Sequence, residues 1–426
     1  MNASPRPSSR VVIGSWFLYD WANSAFTTLV VTFVYSAYFS EAFAEDPGHG
    51  TALWSRGIVI STLLIALLAP FAGALADHGG KRRYLISCTL TCVIMTMALT
   101  FVRPTQPYAV ATALSVFVIS NVAFELGLVF YNAFLPSLTV GDRIGRISGY
   151  GWGLGYGGGL ACLALGLLFV LPGHPPPFGI STAEGFNARA TNMLVGFWFL
   201  VFSLPAFWYL RDGKAPDGGF QIRQALDKLS RTFHSLRRYD ETFKFLIARL
   251  VYNDGLVTIF SFGGIYAAGT FGFDLFEVMV FGIVLNLVAG LGALIFGFID
   301  DRVGGKVTIA VSLVALTIFT VLAAVATTRA WFWIAGIGVG FFIGPNQSAS
   351  RSLMGRFVPK QHESEFFGFF AFSGKATAFM GPWLLGILSD AYSQRVGVGS
   401  ILLFFVVGGA LLWRVDEKGG IIAANS

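Results

Sequence analysis

The 426-residue chain is 55% hydrophobic and only 12% charged, with 43 Phe and a formal net charge of +6. A soluble chain carries about 25% charged residues, so this composition excludes a soluble globular protein. The positive balance does not point to nucleic acid, because the basic residues sit between apolar runs, as the orientation of a membrane protein requires.

The first run, residues 14–42, is apolar and aromatic for long enough to cross a bilayer, yet it holds Asp20 and Asn23. It is too long for a signal peptide and lacks a small-residue cleavage site, so it reads as an uncleaved span. A hydrocarbon core of about 30 Å needs roughly 20 helical residues. On that measure eleven more spans follow, at 53–76, 84–103, 108–135, 148–171, 190–210, 243–272, 276–299, 307–327, 330–354, 365–389 and 396–414. The expected fold is an all-α membrane protein of twelve transmembrane helices in two pseudo-symmetric six-helix bundles. Of the 29 Lys and Arg, 22 lie before span 1, after an even span or at the C-terminus, Arg351 among them. The opposite loops hold only Arg56, Arg103, Arg189, Arg329 and Arg395, which places both termini in the cytoplasm.

The bundles are 1–210 and 243–426, joined by a cytoplasmic linker at 211–242. Within the linker Phe220, Leu226, Leu229, Phe233 and Leu236 recur at helical spacing among Lys, Arg and Gln. That pattern predicts a short amphipathic helix on the membrane surface, either a lipid-dependent regulator or a passive linker.

A repeat supports the two halves. "GALADHGGK" starts at Gly73 and "GFIDDRVGGK" at Gly297, so that Gly73/Gly297, Asp77/Asp301 and Gly80/Gly304 are each 224 residues apart. The glycines suit a tight turn and close helix approach. The aspartates are placed to bind neighbouring cations, Lys81 or Arg302, or a helix N-terminus, and so to latch one conformation.

This doubled pattern resembles that of the major facilitator superfamily. "WFLYDWANSAF", "YNAFLP", "ISGYGWGLGYGGG", "LVYNDGLVTIFSFGGIYAA", "QSASRSLMGRFVP" and "ESEFFGFFAFSGKATAFMGP", in that order, look like the vacuole-effluxer family, its autophagy-related branch. The resemblance implies the major facilitator fold, secondary transport by alternating access, and a cavity lined by spans 1, 4, 7 and 10. The vacuolar member implies amino-acid efflux. His78 stands where the superfamily pattern usually has Arg or Lys. Gly149, Gly153, Gly157 and Gly158 resemble the span-5 pattern of antiporters, but Leu154 replaces its Pro, so export is favoured only slightly.

Other strings are discounted. Gly153, Gly155 and Gly158 fit a dinucleotide fingerprint but lie inside span 5 with no preceding strand, where glycines serve helix packing. Cys88, Cys92 and Cys162 read as packing residues. The five histidines (His49, His78, His174, His234, His362) fall in loops without metal-ligand spacing, and no Ser/His/Asp set shares one depth. The expectation is a transporter, not an enzyme, without cofactor or metal, acting as a monomer in the cytoplasmic membrane.

The ionisable residues within spans carry the functional reading. Counted at 1.5 Å per residue, Glu125, Asp254 and Lys375 lie about 15 Å deep, and Asp20 and Arg249 about 9 Å. Isolated in hydrocarbon the five would cost roughly 12–18 kcal/mol, so they face a wet cavity or one another. Two carboxylates and one ammonium suit a zwitterion, with one carboxylate left to carry a proton, since burial disfavours the charged form of an acid. Glu125 is the expected carrier, because its helix offers it no cation, with Asp254 the other candidate. The alternative is that Glu125 and Lys375 simply pair. Equal depth predicts an Asp20–Arg249 pair closing the cytoplasmic side; otherwise each snorkels. Tyr19, Tyr252 and Asn253 occupy comparable places in spans 1 and 7. Tyr131, Asn132, Asn346 and Gln347 either bind substrate or join helices, and Trp152 is cavity wall or packing. Gly344 and Pro345 are placed to free a backbone carbonyl for the cavity. The leading function is export of an amino acid. A drug, sugar or organic-ion exporter, a lipid-handling protein and a non-transporting sensor remain alternatives.

Overall fold

The structure, a computed structural model, describes residues 9–138, 143–171, 174–212 and 239–425. The expected linker helix, the His78 side chain and His234 lie outside the described residues. Among those described there is no strand.

Among the described residues nine helices are long and apolar enough to cross a membrane, and they match expected spans 2 to 9 and 12. The other three expected spans are helical too, each with a local reason for standing apart. Span 1 runs as Arg10–Ala25, a π-helix Phe26–Phe33, and Tyr35–Ala42. The wider i→i+5 turn appears in the Val34 N–H bond to the Leu29 carbonyl, 2.9 Å, and in Thr32 Oγ1 bonding the Thr27 carbonyl, 2.9 Å. Span 10, Arg329–Phe357, is one continuous helix that carries three arginines. Span 11 is broken into Glu363–Ser373 and Met380–Ala391.

Helix ends follow local chemistry. Asp46 caps span 2 through the His49 N–H, with Pro47 at the first helical position. Asp274 and Glu277 form a reciprocal capping box on span 8. The repeated loops turn at Gly80 (φ 86°) and Gly304 (φ 93°), a backbone conformation that any side chain would strain.

The closest backbone contacts between the first six and last six spans lie at the end of the molecule that carries these two turns. Spans 1 and 8 still touch farther along, where a methyl on Gly282 would lie 3.3 Å from the Phe33 ring. A methyl group on Gly73 of span 2 would lie 2.2 Å from the Ser364 carbonyl oxygen, and one on Gly368 of span 11 would lie 2.5 Å from that of Ala69. One on Gly149 of span 5 would lie 2.4 Å from the Ala293 carbonyl of span 8. Glycine is what lets these backbones meet. The distal segments instead pack among their own neighbours: Tyr35–Ala42 on spans 2 and 6, and Met380–Ala391 on spans 7 and 12.

Pro345 frees the Phe341 carbonyl, as expected. That oxygen does not face a cavity, however: a methyl on Gly292 of span 8 would lie 2.0 Å from it. The freed acceptor is absorbed by helix packing.

Candidate functional site

The break in span 11 is built by span 7. Arg249 Nη1 donates to the Phe370 carbonyl at 2.6 Å and to Ser373 Oγ at 2.8 Å, and its guanidinium lies 3.6 Å from the centre of the Phe370 ring. Asn253 Nδ2 donates to the Gly374 carbonyl at 2.9 Å. These donors satisfy carbonyls that an interrupted helix would otherwise leave bare. Beyond the break Gly381 rests on span 7, where a methyl would come within 2.8 Å of the Asp254 carbonyl oxygen.

Two side chains from the break reach the carboxylates of spans 4 and 7. Lys375 Nζ meets Glu125 Oε1 of span 4 at 2.6 Å. Thr377 Oγ1 donates to Asp254 Oδ1 of span 7 at 3.2 Å. The Lys375 and Glu125 side chains remain 30% and 18% exposed, so the pair borders accessible space. Asp254 is buried and makes no ion pair among the described residues. Glu125 has no cation on its own helix; its partner comes from span 11.

A second cluster lies toward the closed end, around a residue that charge counting had assigned to a loop. Arg351 is 3% exposed and sits inside span 10. Its Nη1 meets Asp20 Oδ2 at 3.0 Å and Asn132 Oδ1 at 3.4 Å. Its Nε donates to Ser148 Oγ at 3.0 Å and its Nη2 to the Ser148 carbonyl at 2.7 Å. Three aromatic rings surround the guanidinium, Trp16 at 4.8 Å, Trp152 at 5.4 Å and Tyr131 at 5.8 Å. The expected Asp20–Arg249 pair is therefore corrected to Asp20–Arg351. Equal depth on spans 1 and 7 did not bring those two together, because Arg249 is committed to the carbonyls of span 11. Gly151 makes the cluster possible: a methyl there would lie 2.6 Å from Asp20 Oδ2 and 2.7 Å from Arg351 Nη2.

Residues around Asp20 mostly lock helices together. Asn23 Nδ2 donates to Asp20 Oδ1 at 3.3 Å. Trp16 Nε1 bonds the Tyr131 carbonyl and Tyr131 Oη the Trp16 carbonyl, both at 3.1 Å, with the two rings stacked. Tyr19 is buried and hydrogen-bonded to Thr89 Oγ1 at 2.8 Å. In the second half Tyr252 Oη meets Ser350 Oγ at 2.8 Å, and Tyr156 Oη donates to Gln347 Oε1 at 2.7 Å, joining spans 5 and 10. Asn346 is fully buried with neither amide atom hydrogen-bonded among the described residues.

The repeated loops supply a third set. Asp77 accepts the N–H groups of Ser364 (2.8 Å) and Glu365 (3.1 Å) at the start of span 11. Asp301 accepts those of Gly145 (2.8 Å) and Arg146 (3.2 Å) at the start of span 5, and its Oδ2 takes Arg146 Nε at 2.7 Å. Each is a carboxylate on a helix N-terminus, the favourable sign for the dipole. Lys81 pairs with Glu363 and donates to the Ala133 carbonyl at 2.7 Å. Arg302, expected in the latch, is exposed and makes no ion pair among the described residues.

Arg351, Arg146, Ser148, Glu363 and Thr377 escaped the sequence reading. Arg351 had a signal: Ser348, Ala349, Ser350 and Ser352 flank it, small residues suited to a crowded helix interface.

Comparison with known proteins agrees with this architecture. The model of the vacuole effluxer Atg22-like family matches residues 51–425. The MFS-type transporter YxiO of Bacillus subtilis (strain 168) is 28% identical over 414 residues, 95% of this chain and 94% of that protein. Autophagy-related protein 22 of Coccidioides immitis (strain RS) is 21% identical, covering 85% of this chain and 72% of its own. The human organic anion transporter MFSD10 superposes with a TM-score of 0.75 over 96% of this chain and 100% of its own, at 14% identity. That likeness is one of fold, the major facilitator arrangement of helices.

Proposed function

The chain belongs to the vacuole effluxer Atg22-like family of major facilitator transporters, and from that premise we propose that it moves a small zwitterion, an amino acid, by proton-coupled alternating access. It is a transporter and not an enzyme. In our reading residues 1–210 and 243–426 are the two rocking bundles of a monomer, with 211–242 between them. Both termini and the turns at Gly80 and Gly304 face the cytoplasm of a cell membrane, and the direction is export. The closed end is then the cytoplasmic one.

The observation that carries the reading is the Glu125–Lys375 pair, 2.6 Å across from span 4 to the break in span 11. An incoming zwitterion replaces one internal pair with two: its carboxylate on Lys375 and its ammonium on Glu125. The charges stay compensated throughout, which a low-dielectric site requires. Asp254 is the better proton carrier. Glu125 already has a cation, whereas among the described residues the Asp254 carboxylate meets only the Thr377 hydroxyl, so a proton takes the place of a counter-ion.

Reconstituted vesicles separate these roles. Asp254→Asn should abolish accumulation driven by a proton gradient while leaving exchange of labelled for unlabelled amino acid. Glu125→Gln should weaken both, through binding. Full gradient-driven accumulation by Asp254→Asn, or no response to any amino acid across a panel, would defeat the proposal.

A further inference from the structure

We propose that Asp77, His362 and Glu365 form a binding site for one divalent transition-metal ion, joining span 2 to the start of span 11. One ligand atom from each of the three lies within 4.8 Å of the other two. His362 Nδ1 and Glu365 Oε2 are 3.1 Å apart. Ligands about 2.1 Å from a tetrahedral zinc ion stand about 3.4 Å from each other, so these two already approximate one edge of a coordination shell. Small side-chain rotations bring in the third.

The independent observation is Glu365. Its side chain is fully buried, 0% exposed, yet Oε1 has no hydrogen-bond donor among the described residues. Beside it Ser364 Oγ is also buried and unpartnered among the described residues. An orphaned carboxylate oxygen costs desolvation free energy that a bound cation recovers. The Asp77 oxygens accept the Ser364 and Glu365 N–H groups, and a carboxylate oxygen that accepts such a bond can still ligate a metal, since it carries two lone pairs.

The donor set selects the ion. One imidazole with two carboxylates suits zinc, manganese, iron or cobalt rather than calcium or magnesium, which prefer oxygen alone. His362 is 30% exposed and provides the entry path, while Glu365 is fully buried. Because Asp77 comes from span 2 and the other two from span 11, the site exists only while that end is closed. An ion held there favours the closed arrangement by mass action. The site does not depend on the substrate reading above, because binding of the metal alone tests it.

Purified full-length protein in detergent, stripped with a chelator, should bind one zinc ion per chain by isothermal titration. Cobalt in its place should give the visible absorption of a low-symmetry site. His362→Ala and Glu365→Gln should each weaken zinc more than about tenfold, the least that loss even of an outer partner of a metal ligand costs. His174→Ala should change nothing. Glu365→Gln preserves shape, and monodisperse elution of each variant excludes unfolding as the cause. Absence of stoichiometric zinc binding, or equal binding by both variants, would overturn the site.

Discussion

The two repeated loops do the same task by unequal means. In both an aspartate leaves its own half and caps a helix of the other, Asp77 on span 11 and Asp301 on span 5. Both glycine turns then pass the chain into the next span, and each following helix start is capped by a carboxylate from farther along. Asp212 takes the Arg82 N–H at 3.0 Å, and Glu417 takes those of Gly305 and Lys306 at 2.9 Å each. The difference lies in the added charges. Asp301 binds Arg146 directly, whereas at the first loop the cation Lys81 pairs with Glu363 of span 11. The lesson is that a repeated motif fixes backbone capping, while the ion pairs around it are set by each half separately. Between the loops sits Arg351, which has no counterpart in the repeat.

The comparison would break hardest if the loops alone held the closed end. Arg351→Ala tests this, because it leaves Asp20 buried without a cation, a defect worth about 3–5 kcal/mol. We expect thermal stability in detergent to fall by that order, more than for any loop substitution. Arg351→Lys should recover only part, since an ammonium cannot make the guanidinium's divergent bonds to Asp20 and Ser148 or stack among the three rings. A neutral result for Arg351→Ala would return the closure to the loops.

A smaller effect separates the loops' two leading glycines, alike in sequence. Gly73→Ala drives a methyl to 2.2 Å from the Ser364 carbonyl oxygen, a backbone atom that cannot rotate away, and overpacking of that kind costs about 1–3 kcal/mol. Gly297→Ala brings its methyl only to 3.1 Å from the Gly145 carbonyl oxygen, which a shift of a few tenths of an ångström relieves. Melting curves of the two variants should therefore differ clearly, with Gly73→Ala the lower. Equal losses would mean that both crossings are equally tight.

What the sequence made legible follows the physics of oil and water. The twelve spans and the repeat are one-dimensional signals: a run of apolar residues has a length, and a motif has a spacing. The buried charges were legible as buried, because hydrocarbon penalises them wherever they face. Their partners were not. Depth counting put Asp20 level with Arg249, but pairing depends on which way each helix face turns, and Arg249 turns to the carbonyls exposed by the break in span 11. That break was itself invisible, since residues 374–379 read as a continuous apolar run except for Lys375 and Thr377. Arg351 was misplaced for the opposite reason. An arginine near the end of an apolar stretch looks like a topogenic charge, and although the expected span 330–354 already enclosed it, only its small neighbours hinted that it packs inside a helix interface.

The finest distinction concerns two arginines near Asp301, one adjacent in sequence and one remote. The adjacent Arg302 was the natural partner from the motif, yet it is exposed and unpaired among the described residues. The remote Arg146 comes from span 5, holds Asp301 at 2.7 Å and lies over the Phe298 ring at 5.0 Å. Its side chain is 37% exposed, so solvent screens the pair and the charge term is worth at most about 1 kcal/mol. Arg146→Ala should thus lower stability measurably but modestly, and Arg302→Ala should stay within about 0.5 kcal/mol of the parent, as surface changes do. High salt should narrow the Arg146 difference, because an exposed pair weakens as the screening length shortens. The reverse order would mean that the latch closes within its own loop. The contact between spans 5 and 8 would then rest on the Asp301 cap and glycine packing alone.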